Sequence, residues 1–110
     1  MTELKLYLAQ RISAAVMAPL VLLHLGVMIY AIRDGLDAAE ILARTRGSLF
    51  WGGTYTLFVL AAALHAAVGI RGLLREWACA GRLAGWIGAG LGAVSLLLGL
   101  RAVYALVAGG

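Results

Sequence analysis

A chain of 110 residues that is 64% hydrophobic and only 13% charged does not read as a soluble domain, because globular chains are nearer half apolar and a quarter charged. Nine Lys and Arg against five Asp and Glu leave a net charge of +4, which basic residues at the ends of membrane helices explain without any nucleic acid. The single cysteine, Cys79, excludes an internal disulfide and a zinc or iron–sulfur site built by this chain alone, and no glycine-rich turn stands between a strand and a helix to hold a nucleotide.

The charges cluster and leave three gaps: 21 residues between Arg11 and Arg33, 24 between Arg46 and Arg71, and 18 between Arg82 and Arg101. Each matches the roughly 20 apolar residues that a bilayer core requires. Lipid offers the backbone no hydrogen-bond partner, so each gap predicts a helix. The alternation of a membrane β-strand is missing. The reading is an all-α integral membrane protein, one transmembrane domain over residues 1–110. Its helices are expected at about 11–32, 49–74 and 83–107.

The first segment is too long for a signal-peptide core and is read as a membrane helix. Pro19 lies inside it, five residues before His24. It removes one backbone bond at Ala15 and either opens space for a ligand or is simply tolerated. Next comes RDGLDAAEILARTRGS, where Leu36, Ile41 and Leu42 among charged residues predict a short interfacial helix at about 36–44. Glu40 and Arg44, four apart, support it. Trp51 and Tyr55, with Tyr30 from the first segment, read as an aromatic belt at one interface. The stretch REWACAGR is a tight second connection. In the last segment, small residues recur at Ala84, Gly88 and Gly92, and again at Gly81, Gly85, Ala89 and Ala93. Such spacing serves close helix contact, either within the chain or with another subunit. Five Lys and Arg on the N-terminal side against four opposite place the N-terminus in the cytoplasm.

Both histidines, His24 and His65, sit deep in apolar runs. Ionisable groups inside a membrane are costly and point to function, and neutral imidazole is a leading ligand of haem iron. The competing reading is a histidine bonded to a neighbouring helix. At about 1.5 Å per residue, His24 lies roughly 20 Å from Arg11, whereas His65 lies roughly 9–15 Å from Arg71 and Arg75 on the same side. The two are therefore expected at different depths and do not clasp one haem. If both are ligands, they serve two haems, each completed by a histidine from another chain.

The run HAAVGIRGLLREW, residues 65–77, is the most specific feature. His65 and Gly69 share a helix face, and a glycine there leaves room for a flat macrocycle. Arg71 and Arg75 follow at the membrane surface, where a guanidinium pairs bidentately with a haem propionate or anchors the helix topologically.

HxxxGIR followed by an acidic–aromatic pair resembles the second helix of the cytochrome b membrane-anchor subunits of succinate dehydrogenase and fumarate reductase. The resemblance implies that His65 is an axial haem b ligand and that Arg71 lies by a propionate. Glu76-Trp77 falls where one anchor type carries an Asp-Tyr pair near the quinone. The stretch QRISA resembles the His-Arg-x-Ser-Gly opening of helix one in the larger anchor. By that resemblance Arg11, Ser13 and Trp77 are expected to donate to a quinone. Gln10 and Ala14 depart from the pattern. The layout of three helices matches one half of a multi-helix anchor. Two-haem members use a histidine from each of the first two helices, which His24 and His65 fit.

The resemblance thus implies a haem b-binding anchor of a succinate:quinone or quinol:fumarate oxidoreductase-type complex, with one or two haems and quinone as substrate. Its partners would be a flavoprotein subunit, an iron–sulfur subunit and a second anchor, in a bacterial inner membrane. The dicarboxylate chemistry would belong to the flavoprotein. The contrasting reading is a haem-free membrane protein, an assembly factor or transporter subunit. The lack of acids in the three gaps weighs against a transporter. Hydrogenase or formate dehydrogenase anchors usually need more helices and more histidines than this chain has.

Overall fold

The computed structural model describes residues 2–77 and 81–108. Cys79, with its two neighbours in the tight second connection, lies outside them. Four helices follow in order: α1 (Glu3–Arg33), α2 (Ala38–Thr45), α3 (Leu49–Trp77) and α4 (Arg82–Ala108). Three of them, α1, α3 and α4, are long and apolar enough to cross a membrane, as the charge gaps predict, and no strand occurs among the described residues. The short helix α2 falls within the polar connection where a short helix is expected.

The helices outrun the charge-free gaps. α1 starts eight residues earlier than expected, at Glu3, and α3 runs three residues further, to Trp77. A gap measures the thickness of hydrocarbon, not the length of helix. The Thr2 hydroxyl accepts from the Lys5 N–H at 3.2 Å and caps α1 below its first charges. At 31 residues, α1 is about 46 Å long, well beyond the roughly 30 Å of a bilayer core. Its polar first turns therefore stand clear of the lipid. α1 continues through Pro19 without a break.

Local chemistry sets the other boundaries. Gly35, at φ 65°, ends α1 in the left-handed conformation that glycine adopts freely. The Asp37 carboxylate accepts from the Glu40 N–H at 2.8 Å and starts α2. The Ser48 hydroxyl accepts from the Trp51 N–H at 3.1 Å at the start of α3. The α2–α3 connection also caps α4. Thr45 Oγ1 donates to the Leu106 carbonyl at 2.8 Å, and the Gly47 N–H donates to the Val107 carbonyl at 2.7 Å. These are orphan carbonyls of a helix end, which must find a donor near lipid. Thr45→Val keeps the shape and removes one donor. It is expected to lower stability by about 1–3 kcal/mol, read as a lower melting temperature of the protein in detergent.

α3 is the central helix, antiparallel to α1 on one side and to α4 on the other. The enclosed residues are all small: Ala61 and Ala63 on α3, Ala84, Gly88 and Gly92 on α4, Ser13 on α1 and Thr45 on α2. Large apolar side chains such as Leu22, Ile32, Leu49 and Leu97 face outward. Lipid is as apolar as leucine, so burial of leucine gains little there and close backbone approach decides which faces meet. Of the two small-residue stripes, Ala84–Gly88–Gly92 is the one turned into α3, so it serves packing within the chain. Ala89 and Ala93 of the other stripe are exposed.

Candidate functional site

The first turns of α1 and the last turns of α3 form an open groove of about 590 Å³, lined by Glu3, Tyr7, Gln10, His65, Gly69, Arg71 and Glu76 among others. His65 is half-buried at its inner end. Its Nδ1 lies 3.3 Å from Ser13 Oγ, and Ser13 Oγ in turn donates to the Gln10 carbonyl at 3.0 Å. Ser13 is 3% exposed, the most enclosed residue of α1. Gly69 lies one turn beyond His65, against Gln10: a Cβ there would meet Gln10 Nε2 at 3.1 Å. Gln10 Oε1 is buried without a hydrogen-bond partner among the described residues.

Arg71 and Arg75 both reach Glu3 Oε1, at 3.1 and 3.0 Å. This clamp ties the ends of α1 and α3 together at the rim of the groove. The sequence reading overlooked Glu3, because the contact spans 68 residues and needs an antiparallel register that charge spacing does not reveal. Both arginines converge on one carboxylate oxygen, Glu3 Oε1.

Arg11, Ser13 and Trp77 are not brought together by this chain. Ser13 faces α3, whereas Arg11, two positions earlier, points away and lies over the Tyr7 ring at 5.7 Å. Two residues advance a helix by about 200°, so both cannot share a face. Trp77 is 83% exposed at the end of α3, twelve residues or about 18 Å beyond His65.

His24 sits elsewhere. A second cavity, of about 540 Å³, opens between α1, α3 and α4 near α2 and is walled by His24, Tyr55, Phe58, Val59, Gly99 and Val103 among others. The His24 ring meets Tyr55 edge-on at 5.8 Å and Phe58 at 5.4 Å. Tyr55 stacks on Trp51 at 5.6 Å. Trp51 and Tyr55 are thus half-buried cavity wall rather than aromatic belt, because positions 51, 55 and 58 share the face of α3 that meets α1. Tyr30 remains exposed. Its hydroxyl accepts from Arg44 at 2.8 Å, which takes Arg44 from the expected Glu40 pairing and raises the guanidinium pKa. Ser13, beside His65, and His24 are eleven residues apart on α1, about 16 Å along the axis. The two histidines therefore occupy two depths and two cavities. Among the described residues no three His, Cys, Asp or Glu side chains gather as a metal site.

Three helices long and apolar enough to cross a membrane make this a multi-pass membrane protein, and His24 on α1 and His65 on α3 each line a cavity of their own. The family model described as succinate dehydrogenase/fumarate reductase transmembrane subunit matches residues 2–100. The chain belongs to this family and is a multi-pass membrane subunit of that type. Neither the curated proteins nor the solved structures offer a significant match.

Proposed function

We propose that this subunit binds haem b and passes electrons between an iron–sulfur subunit and membrane quinone, beside a flavoprotein that does the dicarboxylate chemistry. The observation that carries the reading is His65, an imidazole at membrane depth that faces an open groove while its Nδ1 is engaged by Ser13. A histidine placed only for packing has no need of an adjoining space.

The residues present suit a haem. Gly69 adds no side chain to the wall beside His65, Arg71 and Arg75 supply cations at the rim for propionates, and the donorless Gln10 Oε1 calls for a partner from an occupant of the groove. When bound, the haem supplies a one-electron carrier within the membrane. His65 would supply one nitrogen ligand to it from α3. Because the groove is open on one side, a second anchor would complete it and contribute a further ligand. Arg11 and Trp77, exposed at the same end of the bundle, would donate to quinone, whereas Ser13, which the resemblance also names, faces His65 instead. The N-terminal end, where Lys5, Arg71, Arg75 and Arg82 gather, would face the cytoplasm of a bacterial inner membrane and the iron–sulfur subunit.

His24, in its own cavity of similar size, favours a second haem. In the intact complex purified in mild detergent, two haem b per flavin are expected. His24→Leu is expected to remove one of them and leave the other. A parent complex without haem would overturn the electron-carrier reading in favour of a haem-free subunit.

A further inference from the structure

Ser13 is enclosed and its hydroxyl meets the ring of His65 rather than the open groove, so it has a task that a quinone donor would not explain. A serine hydroxyl carries one hydrogen and two lone pairs. Its hydrogen is directed to the Gln10 carbonyl three residues back, at 3.0 Å. Toward His65 it then has only a lone pair to offer, so the 3.3 Å contact requires the imidazole to donate from Nδ1. With the proton on Nδ1, both hydrogens have acceptors. With the proton on Nε2, two lone pairs would face each other across the Ser13 contact, and Nε2 makes no hydrogen bond among the described residues.

We infer that Ser13 is a positioning residue: it holds His65 in the Nδ1–H tautomer and so presents an unprotonated Nε2 to the groove as the metal-binding nitrogen. This rests on the haem reading of His65. Metal-bound histidines commonly donate their second N–H to a fixed acceptor, which orients the ring and raises its basicity, and loss of that acceptor typically costs 10- to 100-fold in metal affinity. A more basic ligand favours ferric iron, so removal of the acceptor should shift the equilibrium toward ferrous iron. A tenfold shift in that one-electron equilibrium corresponds to about 59 mV.

The test uses the intact complex with its partner subunits, comparing the parent, Ser13→Ala, Ser13→Thr and His65→Leu. Haem per flavin, the midpoint potential of the haem lost in His65→Leu, and its electron paramagnetic resonance signature are measured for each. Ser13→Ala is expected to raise that potential by about 59 mV, the equivalent of tenfold, to change the signature and to release haem about tenfold more readily. Ser13→Thr, which keeps the hydroxyl, is expected to restore the parent values. Identical potential and signature in the parent and Ser13→Ala would overturn the role of Ser13 while leaving His65 as ligand. Haem unchanged in His65→Leu would overturn the reading beneath it.

Discussion

His65→Leu is expected to insert and assemble like the parent and to lose the haem of the α1–α3 groove, with retention falling by well over 100-fold. Removing an acceptor behind a metal-bound histidine already costs 10- to 100-fold, and removing the ligand itself must exceed that. Leucine is among the residues best tolerated at the centre of a membrane helix, so insertion of α3 does not suffer. Ser13 loses one hydrogen-bond partner but keeps its bond to the Gln10 carbonyl. Membrane levels of the subunit and flavin attached to the membrane therefore serve as internal controls. Unchanged haem with unchanged assembly would make His65 a packing residue and remove the basis for electron transfer through this groove.

Gly88→Leu is expected to separate α3 from α4 and to prevent a stable subunit. Even a single Cβ at Gly88 would stand 2.5 Å from the Ala67 carbonyl oxygen and 3.2 Å from the Arg71 Cβ and backbone nitrogen. These are backbone or backbone-proximal atoms that cannot rotate away. Carbon contacts relax only near 3.5–4.0 Å, so Gly88→Ala already forces the helices apart by roughly 1 Å, at about 1–3 kcal/mol. Leucine cannot be accommodated without losing the interface. Gly92 is nearly as tight, at 2.7 Å from the Ala67 Cβ, whereas a Cβ at Gly90 meets nothing within 4 Å. Gly90→Ala is accordingly expected to be neutral or stabilising, by up to about 1 kcal/mol of helix propensity. Melting temperatures of the three variants in detergent check the ordering. Equal stability of Gly88→Ala and Gly90→Ala would show that α3 and α4 do not approach as described.

The sequence reading misplaced the start of α1 because it took the charge at Arg11 as a boundary. A charge ends the membrane crossing but not the helix, and the Thr2 cap starts α1 at Glu3, eight residues before that boundary. The reading paired Glu40 with Arg44 by helical spacing, whereas the acceptor that Arg44 reaches is the Tyr30 hydroxyl of another helix. It grouped Arg11, Ser13 and Trp77 by resemblance to one binding site, yet helical geometry sends Arg11 and Ser13 to different faces. For the small residues it left two stripes open, and only contact with α3 distinguishes Ala84–Gly88–Gly92 from Gly85–Ala89–Ala93.

What the sequence alone determined is the number of membrane helices, the depth of each histidine and the family to which the chain belongs. The first two follow from where charge is absent, because a charge in hydrocarbon is costly whatever its neighbours, and the family follows from the resemblance carried by the HxxxGIR run at His65. What only the tertiary structure decided is which residues meet: Glu3 with Arg71 and Arg75, Ser13 with His65, and Tyr55 and Phe58 with His24. A membrane helix is apolar around its whole circumference, so no hydrophobic stripe announces its inward face. That face is set by where small residues and a few hydrogen bonds allow two backbones to come close.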